Sequence, residues 1–519
     1  MNEAFNLLDE PWLPVRLPDG RVCELGLLDV FARASAINTL AETAPTSLIA
    51  QYRLLLAIVH RALTRAQGHW KDRDRQRWHR GGLPQEAIRD YLEHWRERFW
   101  LFHPEHPFMQ VAALAEAEET RDKQKPWTVI SLGSASGNAA VVFDHSCDVA
   151  VEPMPASTVL RALLGFYQFT PGGLVKTLRD ADKAGPLSNT AAVLPLGASL
   201  AQTLCLALHI PTTEGHEDLP CWERTPPSIA QLRGEPTPAS GPNDRYTRLT
   251  RAVLLLPNAQ SQVQWIRFAA GLALAEDEHA PDPMASYKEK ANGDGMLRLT
   301  FTEGRAFWRD LPVLLPDATG KSSKAAYVLD LAANVNTEIE SSQQPLLVAG
   351  LASDQAKLLR WRSERLVLPA ALLSLSDCAG ELRSQVRKSE ELFSDLRKIA
   401  VGMIADTLPD PGSKDSWNRA RDLFDAGPAT ALFFATAERM LEQVMNLLAQ
   451  QEVGAADAVW KQTLSNAAHT AWQAVLEGLG RSPRALRAEA KYFPRLLVRL
   501  RDFHPATAAP SATPQEVHP

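Results

Sequence analysis

Cysteine is scarce in this 519-residue chain: Cys23, Cys147, Cys205, Cys221 and Cys378 are scattered, with no CxxC pair. An odd, dispersed set argues against a disulfide framework or a four-thiolate zinc site and predicts reduced thiols in a cytoplasm. No run of about 18 apolar residues occurs, which argues against a membrane span. The opening MNEAFNLLDEPW has no basic stretch followed by an apolar one, so no signal peptide is expected. Positive charge is not in excess either. Lys and Arg total 55 against 61 Asp and Glu, a formal net charge of −6. Any nucleic-acid contact must therefore come from local patches, or from a complex whose other subunits carry the basic surface.

A catalytic constellation is also missing from the sequence pattern. Gly320-Lys321-Ser322 resembles the end of a phosphate-binding loop, but Leu315 occupies the required upstream glycine position. Gly133-Ser134-Ala135-Ser136-Gly137 has the outline of a nucleophile elbow with alanine in place of the serine. The 13 histidines form no HExxH, and His103, His106 and His145 read as structural. The expectation is a protein that is not an enzyme and holds no metal or cofactor.

What is present is an ordinary globular composition, 45% apolar and 22% charged, long enough for two or three domains. Leu13–Leu17 and Val22–Leu25 flank Pro18-Asp19-Gly20, a hairpin signal because Gly20 can take the positive φ of a tight turn. Apolar residues at helical spacing predict a buried helix over 46–67, and a second is expected over 83–102 with Pro84 in its first turn. Residues 125–345 are rich in turn formers, with short candidate strands at 141–143 and 296–301. Residues 211–246 are so poor in periodicity that a mobile excursion is expected there.

From 346 to about 502 helical periodicity dominates, broken near 376–380, 408–416 and 479–483, and predicts about four long helices in a bundle. The fold class is thus α+β: a mixed domain over 1–365, a four-helix bundle over 366–503, and a Pro/Ala/Thr-rich disordered tail over 504–519. Between Arg481 and Asp502 seven basic residues face two acidic ones. Spacings of three and four put Arg484, Arg487, Lys491 and Arg495 on one helical face, with a kink expected at Pro494. That face is either simply solvated or a stripe that tracks a nucleic-acid backbone. A shorter basic stretch holds Arg383, Arg387 and Lys388.

Three ordered segments carry a family resemblance. Asn6-Leu7-Leu8-Asp9-Glu10-Pro11-Trp12-Leu13-Pro14-Val15, Glu105-His106-Pro107-Phe108-Met109-Gln110 and Ser136–His145 resemble the NLLDxPWIPV, HPFMQ and SGNNxTLFDH segments of the CasA family. That family is the large subunit of the type I-E CRISPR Cascade complex. The resemblance implies a mixed domain followed by a four-helix bundle. It also implies a non-catalytic subunit that recognises a short motif flanking the target in duplex DNA, while a guide RNA pairs with the target strand. The implied partners are the backbone, small and guide-capping subunits, the guide RNA, double-stranded DNA and a separately recruited helicase–nuclease.

The resemblance also nominates residues. Gln355, in Ala349–Lys357, is the expected wedge between base pairs, with Asp354 beside it where a neutral residue would suit nearby phosphates better. Gly172 and Gly173, with Lys176, are the expected loop at the minor groove, where a side chain would hold the backbone away. A basic finger corresponds to Lys288 or Arg267, with Lys288 favoured because a turn at Asp282-Pro283 would present it. Asn138 and Phe143 lie in the loop expected to dock at the guide RNA's 5′ end. The rival reading is a helical scaffold that binds only protein.

Overall fold

The computed structural model describes residues 4–134, 151–173, 175–211, 217–277, 280–290, 293, 295–317, 320, 322–336, 342–354, 357–374 and 377–503. They divide into two compact units. The first comprises the chain to Arg305 together with Val313–Ser374, and the second comprises Ala306–Pro312 together with the chain from Leu375.

The first unit is built around the helix Pro45–Gln67, opened by proline at its first position and closed at Gly68, whose φ is 68°. Every residue from Pro45 to Leu63 is buried. A helix buried on all sides must satisfy its polar side chains internally. Arg53 meets Asp282 at 2.6 Å with neither side chain exposed, and Arg61 meets Glu223 at 2.7 Å. His60 stacks on His209 with ring centroids 3.9 Å apart and accepts at Nδ1 from the Asn243 side-chain amide N–H, 2.8 Å away. Burial favours the neutral acid of Asp282, but the charges of Arg53 and Arg245 outweigh it and hold the carboxyl below 3.8.

The expected first hairpin forms as Leu13–Arg16 against Val22–Leu25, with Gly20 at φ 86°. The expected helix over 83–102 is shorter. It runs Gln85–His94, then a 3-10 turn Arg96–Arg98 leads into the strand Trp100–Phe102. The periodicity there came partly from that buried strand, which pairs with Ala4–Asn6. Within 211–246, where a mobile excursion was expected, the described part is folded. Trp222, Leu232 and Tyr246 are buried, and Pro242–Thr247 is a helix against the central one. Short polar-looking segments escape periodicity analysis when single aromatics anchor them.

Three sheets matter for the site. The strand Gln343–Asp354 lies between Lys357–Pro369 and Ala191–Pro195, all antiparallel. The short strand Tyr287–Glu289 lies between Met296–Arg298 and Ser323–Lys324. The strand Gln262–Ala270 pairs along most of its length with Arg251–Pro257.

The second unit is helical. Its segments are Asp377–Thr407, Lys414–Ala426, Ala429–Glu438, Leu441–Ala449, Val453–Leu479 and Pro483–Leu500. The middle of the region runs as three shorter helices because Gly427-Pro428 and the Arg439-Met440 turn interrupt the apolar pattern. Into this unit the earlier segment Ala306–Pro312 inserts Trp308, which meets Phe434 and Trp460 edge-on at 6.0 Å each. Arg309 grips Glu390 through two hydrogen bonds of 2.7 Å and lies over the Phe434 ring.

Candidate nucleic-acid interface

The long hairpin Gln343–Asp354/Lys357–Pro369 is the most distinctive feature of the candidate site. Asp354 pairs with Lys357, so only residues 355 and 356 connect the two strands. Two-residue connections are the tightest that antiparallel strands allow. Gln355, between Asp354 and Lys357 in sequence, lies outside the described residues, as do Asn138 and Phe143.

Gly172 and Gly173 follow the helix Ala156–Phe169. Gly173 has φ 82° and its N–H donates to the Asp182 carbonyl at 2.8 Å, a turn that glycine adopts without strain. A Cβ on Gly173 would meet nothing within 4 Å, so the backbone here faces open space. The loop closes where the Gly185 N–H donates to the Thr170 carbonyl at 2.8 Å. Beneath it Arg251 and Asp182, both fully buried, meet at 3.1 Å. Lys176 is exposed on the same loop.

The two basic-finger candidates separate clearly. Arg267 spends its guanidinium on the carbonyls of Leu114, at 3.1 Å, and Ala115, and so ties its strand to the 3-10 turn Ala112–Ala115. Lys288 sits half-buried on the middle strand of its small sheet. The Asp282-Pro283 turn expected to present it is instead core, with Asp282 spent on Arg53. Sequence reasoning passed over Lys290, which is exposed at the end of the same strand. Its N–H donates to the Gly295 carbonyl at 3.0 Å across a turn in which Gly293 and Gly295 have φ 72° and 86°. The signal was legible: Asn292-Gly293-Asp294-Gly295 is a hairpin-turn composition.

One strand joins three of these elements. Ala191–Pro195 pairs with the long hairpin, and its Ala191 and Val193 N–H groups donate to the carbonyls of Leu299 and Met284, at 2.8 and 2.9 Å, flanking the Lys288 sheet. The glycine loop ends at Gly185, six residues before that strand begins. Thr190 approaches Gly350 so closely that a Cβ on the glycine would stand 2.2 Å from its carbonyl oxygen. Glycine loop, lysine-bearing hairpin and long hairpin thus share one rigid spine.

In the helical unit, Pro483–Leu500 buries Ala485, Ala488, Tyr492, Leu496 and Leu500 and leaves Arg484, Arg487, Lys491 and Arg495 exposed along one side. Lys491 reaches Asp406 at 2.6 Å, and that hydrogen bond raises its pKa above 10.5. The Arg495 guanidinium lies 4.6 Å from the centre of the Tyr492 ring. Arg383 and Lys388 are turned inward, the first onto the Pro312 carbonyl and the second onto Asp457. Among the described residues no group of three or more His, Cys, Asp or Glu could hold a metal ion, and no helix is long and apolar enough to cross a membrane.

The other family-like segments are architectural. Trp12 is fully buried and donates its indole N–H to the Leu7 carbonyl, while Gln110 donates to the Leu101 carbonyl and accepts from the Leu255 N–H. A family model for the CRISPR-associated protein Cse1 matches residues 6–471. The chain belongs to the Cse1 family. The CasA/Cse1 protein of Thermus thermophilus is 34% identical over 512 residues, which cover 96% of this chain and 98% of that one. The solved structure of Thermus thermophilus CasA superposes with a TM-score of 0.82 at 31% identity, covering 96% and 100% of the two chains. A chain of a CRISPR RNA-guided surveillance complex, 23% identical, shares the Cse1 fold at a TM-score of 0.75, over 96% of this chain and 100% of that one.

Proposed function

We propose that this chain is the non-catalytic large subunit of a Cascade-like, RNA-guided complex, reading the motif that flanks the target in duplex DNA. Gln355 starts strand separation, and the bound state supports recruitment of a helicase–nuclease. The complex holds backbone, small and guide-capping subunits and a guide RNA. The observation that carries the reading is the long hairpin whose strands pair out to Asp354 and Lys357, on either side of Gln355 in sequence, in a chain of the Cse1 family. A planar amide at such a tip can stack against a base and take its partner's place, offsetting an unstacking cost of about a few kcal/mol. Gly173 lets the backbone approach a groove edge, and Gly172 lets the loop pack on the backbone of Asp182–Ala184. Lys288 and Lys290 are the cations of the adjoining hairpin, and Arg267 serves the fold. Asp354, beside Gln355 in sequence, departs from the neutral residue expected there, and a carboxylate near phosphates is unfavourable.

The test assembles the guide-RNA complex with and without this chain and measures binding to duplexes differing only in the flanking motif. Omission is expected to abolish flank discrimination while guide pairing to single strands persists; discrimination that survives omission overturns the proposal. Gln355→Ala is expected to slow opening of a paired duplex and to spare a pre-melted bubble. A protein-binding scaffold is the second reading, favoured by Leu486, Leu497 and Val498, which lie exposed on the helix of the basic stripe. A scaffold would leave DNA affinity independent of the chain.

A further inference from the structure

We infer that Trp361 is a positioning residue for the hairpin tip, acting through the backbone at Gly133; this rests on the wedge reading of Gln355. The long hairpin has three-stranded support only as far as Gly350, which pairs with both Ala191 and Arg362. Beyond that point Leu351–Asp354 and Lys357–Trp361 continue as a two-stranded arm, with a register shift between Ala352 and Ser353. Four residues of strand reach about 14 Å. A two-stranded ribbon is marginally stable by itself, and a bulge adds bend and twist. A wedge held on such an arm needs a grip at the arm's root.

The grip is in place at the first pair past the third strand. Leu351 pairs directly with Trp361, so the two side chains share a face, and Leu351 is buried. The Trp361 ring packs so tightly on Gly133 that a Cβ there would stand 2.1 and 2.3 Å from two ring carbons. Any side chain at 133 would displace the indole. The same ring walls a cleft of about 230 Å³ that Trp127, Ser131 and Arg161 also line.

The next residue grips the opposite face. Arg362 donates to the carbonyls of Thr302 and Arg305 at 3.3 and 2.8 Å and lies over the Phe301 ring. Consecutive residues thus clamp both faces of the hairpin where its third strand stops. Gly133 stands three residues before Ser136, the first residue of the segment expected to dock on the guide complex.

The experiment measures opening of a paired duplex and of a pre-melted bubble by the assembled complex carrying Trp361→Ala, Trp361→Phe, Gly133→Ala, Gln355→Ala or Trp361→Ala with Gln355→Ala. Displacement of a reacting group by about 1 Å can cost about a hundredfold, so a loss of about tenfold or more on the duplex is expected for Trp361→Ala, with the bubble changed by no more than about twofold. Gly133→Ala should act in the same direction, Trp361→Phe should restore most of the rate, and the double variant should be no slower than Gln355→Ala alone. Equal losses of Trp361→Ala on duplex and bubble, no loss on either, or additive losses in the double variant would each overturn the role of Trp361 while leaving the wedge intact. If Gln355→Ala shows no duplex-specific loss, the wedge reading fails and the Trp361 role fails with it. Thermal melting and incorporation into the complex, measured for every variant, identify a misfolded one, and if that is Trp361→Ala the duplex-specific loss of Gly133→Ala carries the test.

Discussion

The basic stripe of the last helix lends itself to a quantitative test. From Arg484 to Arg495 the helix advances eleven residues, about 16 Å at 1.5 Å per residue. That matches about five base-pair steps of one strand. Arg484, Arg487 and Arg495 are exposed, whereas Lys491 spends its ammonium on Asp406. Counting three phosphate contacts, the slope of log affinity against log salt should flatten by about 2.7 when all three arginines become glutamine. Between about 50 and 200 mM salt, that difference is worth about 40-fold in affinity relative to the parent. Lys491→Gln should change the slope little, and Asp406→Asn, which frees the ammonium, should steepen it by up to about 0.9. The assay is equilibrium binding of a labelled duplex to the assembled complex across a salt series. A folded triple variant with the parental slope would refute the reasoning and return the stripe to a solvated helix face.

Other outcomes follow from buried residues. Trp308→Ala should destabilise the helical unit by about 3–5 kcal/mol, read by denaturant unfolding, because it removes an indole packed on Phe434 and Trp460; a loss below about 1 kcal/mol would contradict that packing. Arg267→Ala should lower the melting temperature and leave flank discrimination untouched, since its guanidinium serves Leu114 and Ala115. Burial first, then the charges of His209 and Arg61, hold His60 far below 6.5. The folded chain keeps it neutral, and the unfolded chain takes up the proton as pH falls through about 6.5. Stability should therefore decline below that pH, by up to about 1.4 kcal/mol per pH unit from this group. His60→Gln should flatten the decline in urea midpoints between about pH 6.5 and 5, while Asp282, held low by Arg53, acts only below about 4.

Much of this was readable from residues alone because the signals were local. Pro18-Asp19-Gly20 dictates a turn, the apolar spacing of 46–67 dictates a buried helix, and the spacing of Arg484 to Arg495 dictates a shared face. What escaped depended on partners far away in sequence. Nothing near Arg267 shows that its guanidinium closes on residues about 150 positions earlier, and nothing near Asp282 marks it as the counter-charge of Arg53. The long hairpin was expected from the family resemblance and not from any local pattern. Its strands are long, the second mixes apolar and charged residues without strict alternation, and the pairing of Asp354 with Lys357 appears only in the structure. Lys290 was missed for a different reason: the turn composition after it was present and went unused.

The segment that carries Trp308 has a consequence in time. It is synthesised well before its partners, since Phe434 and Trp460 follow by 126 and 152 residues. At about 5–20 residues per second, the indole waits roughly 6 to 30 seconds for a place to go. For that interval a nascent chain displays Trp308 with neither Phe434 nor Trp460 to receive it. The helical unit's own aromatics, Phe393, Phe424, Phe433 and Phe434, pack on one another without it. The order of manufacture thus leaves a seven-residue piece of the second unit outside the ribosome before the helices that cover its indole exist.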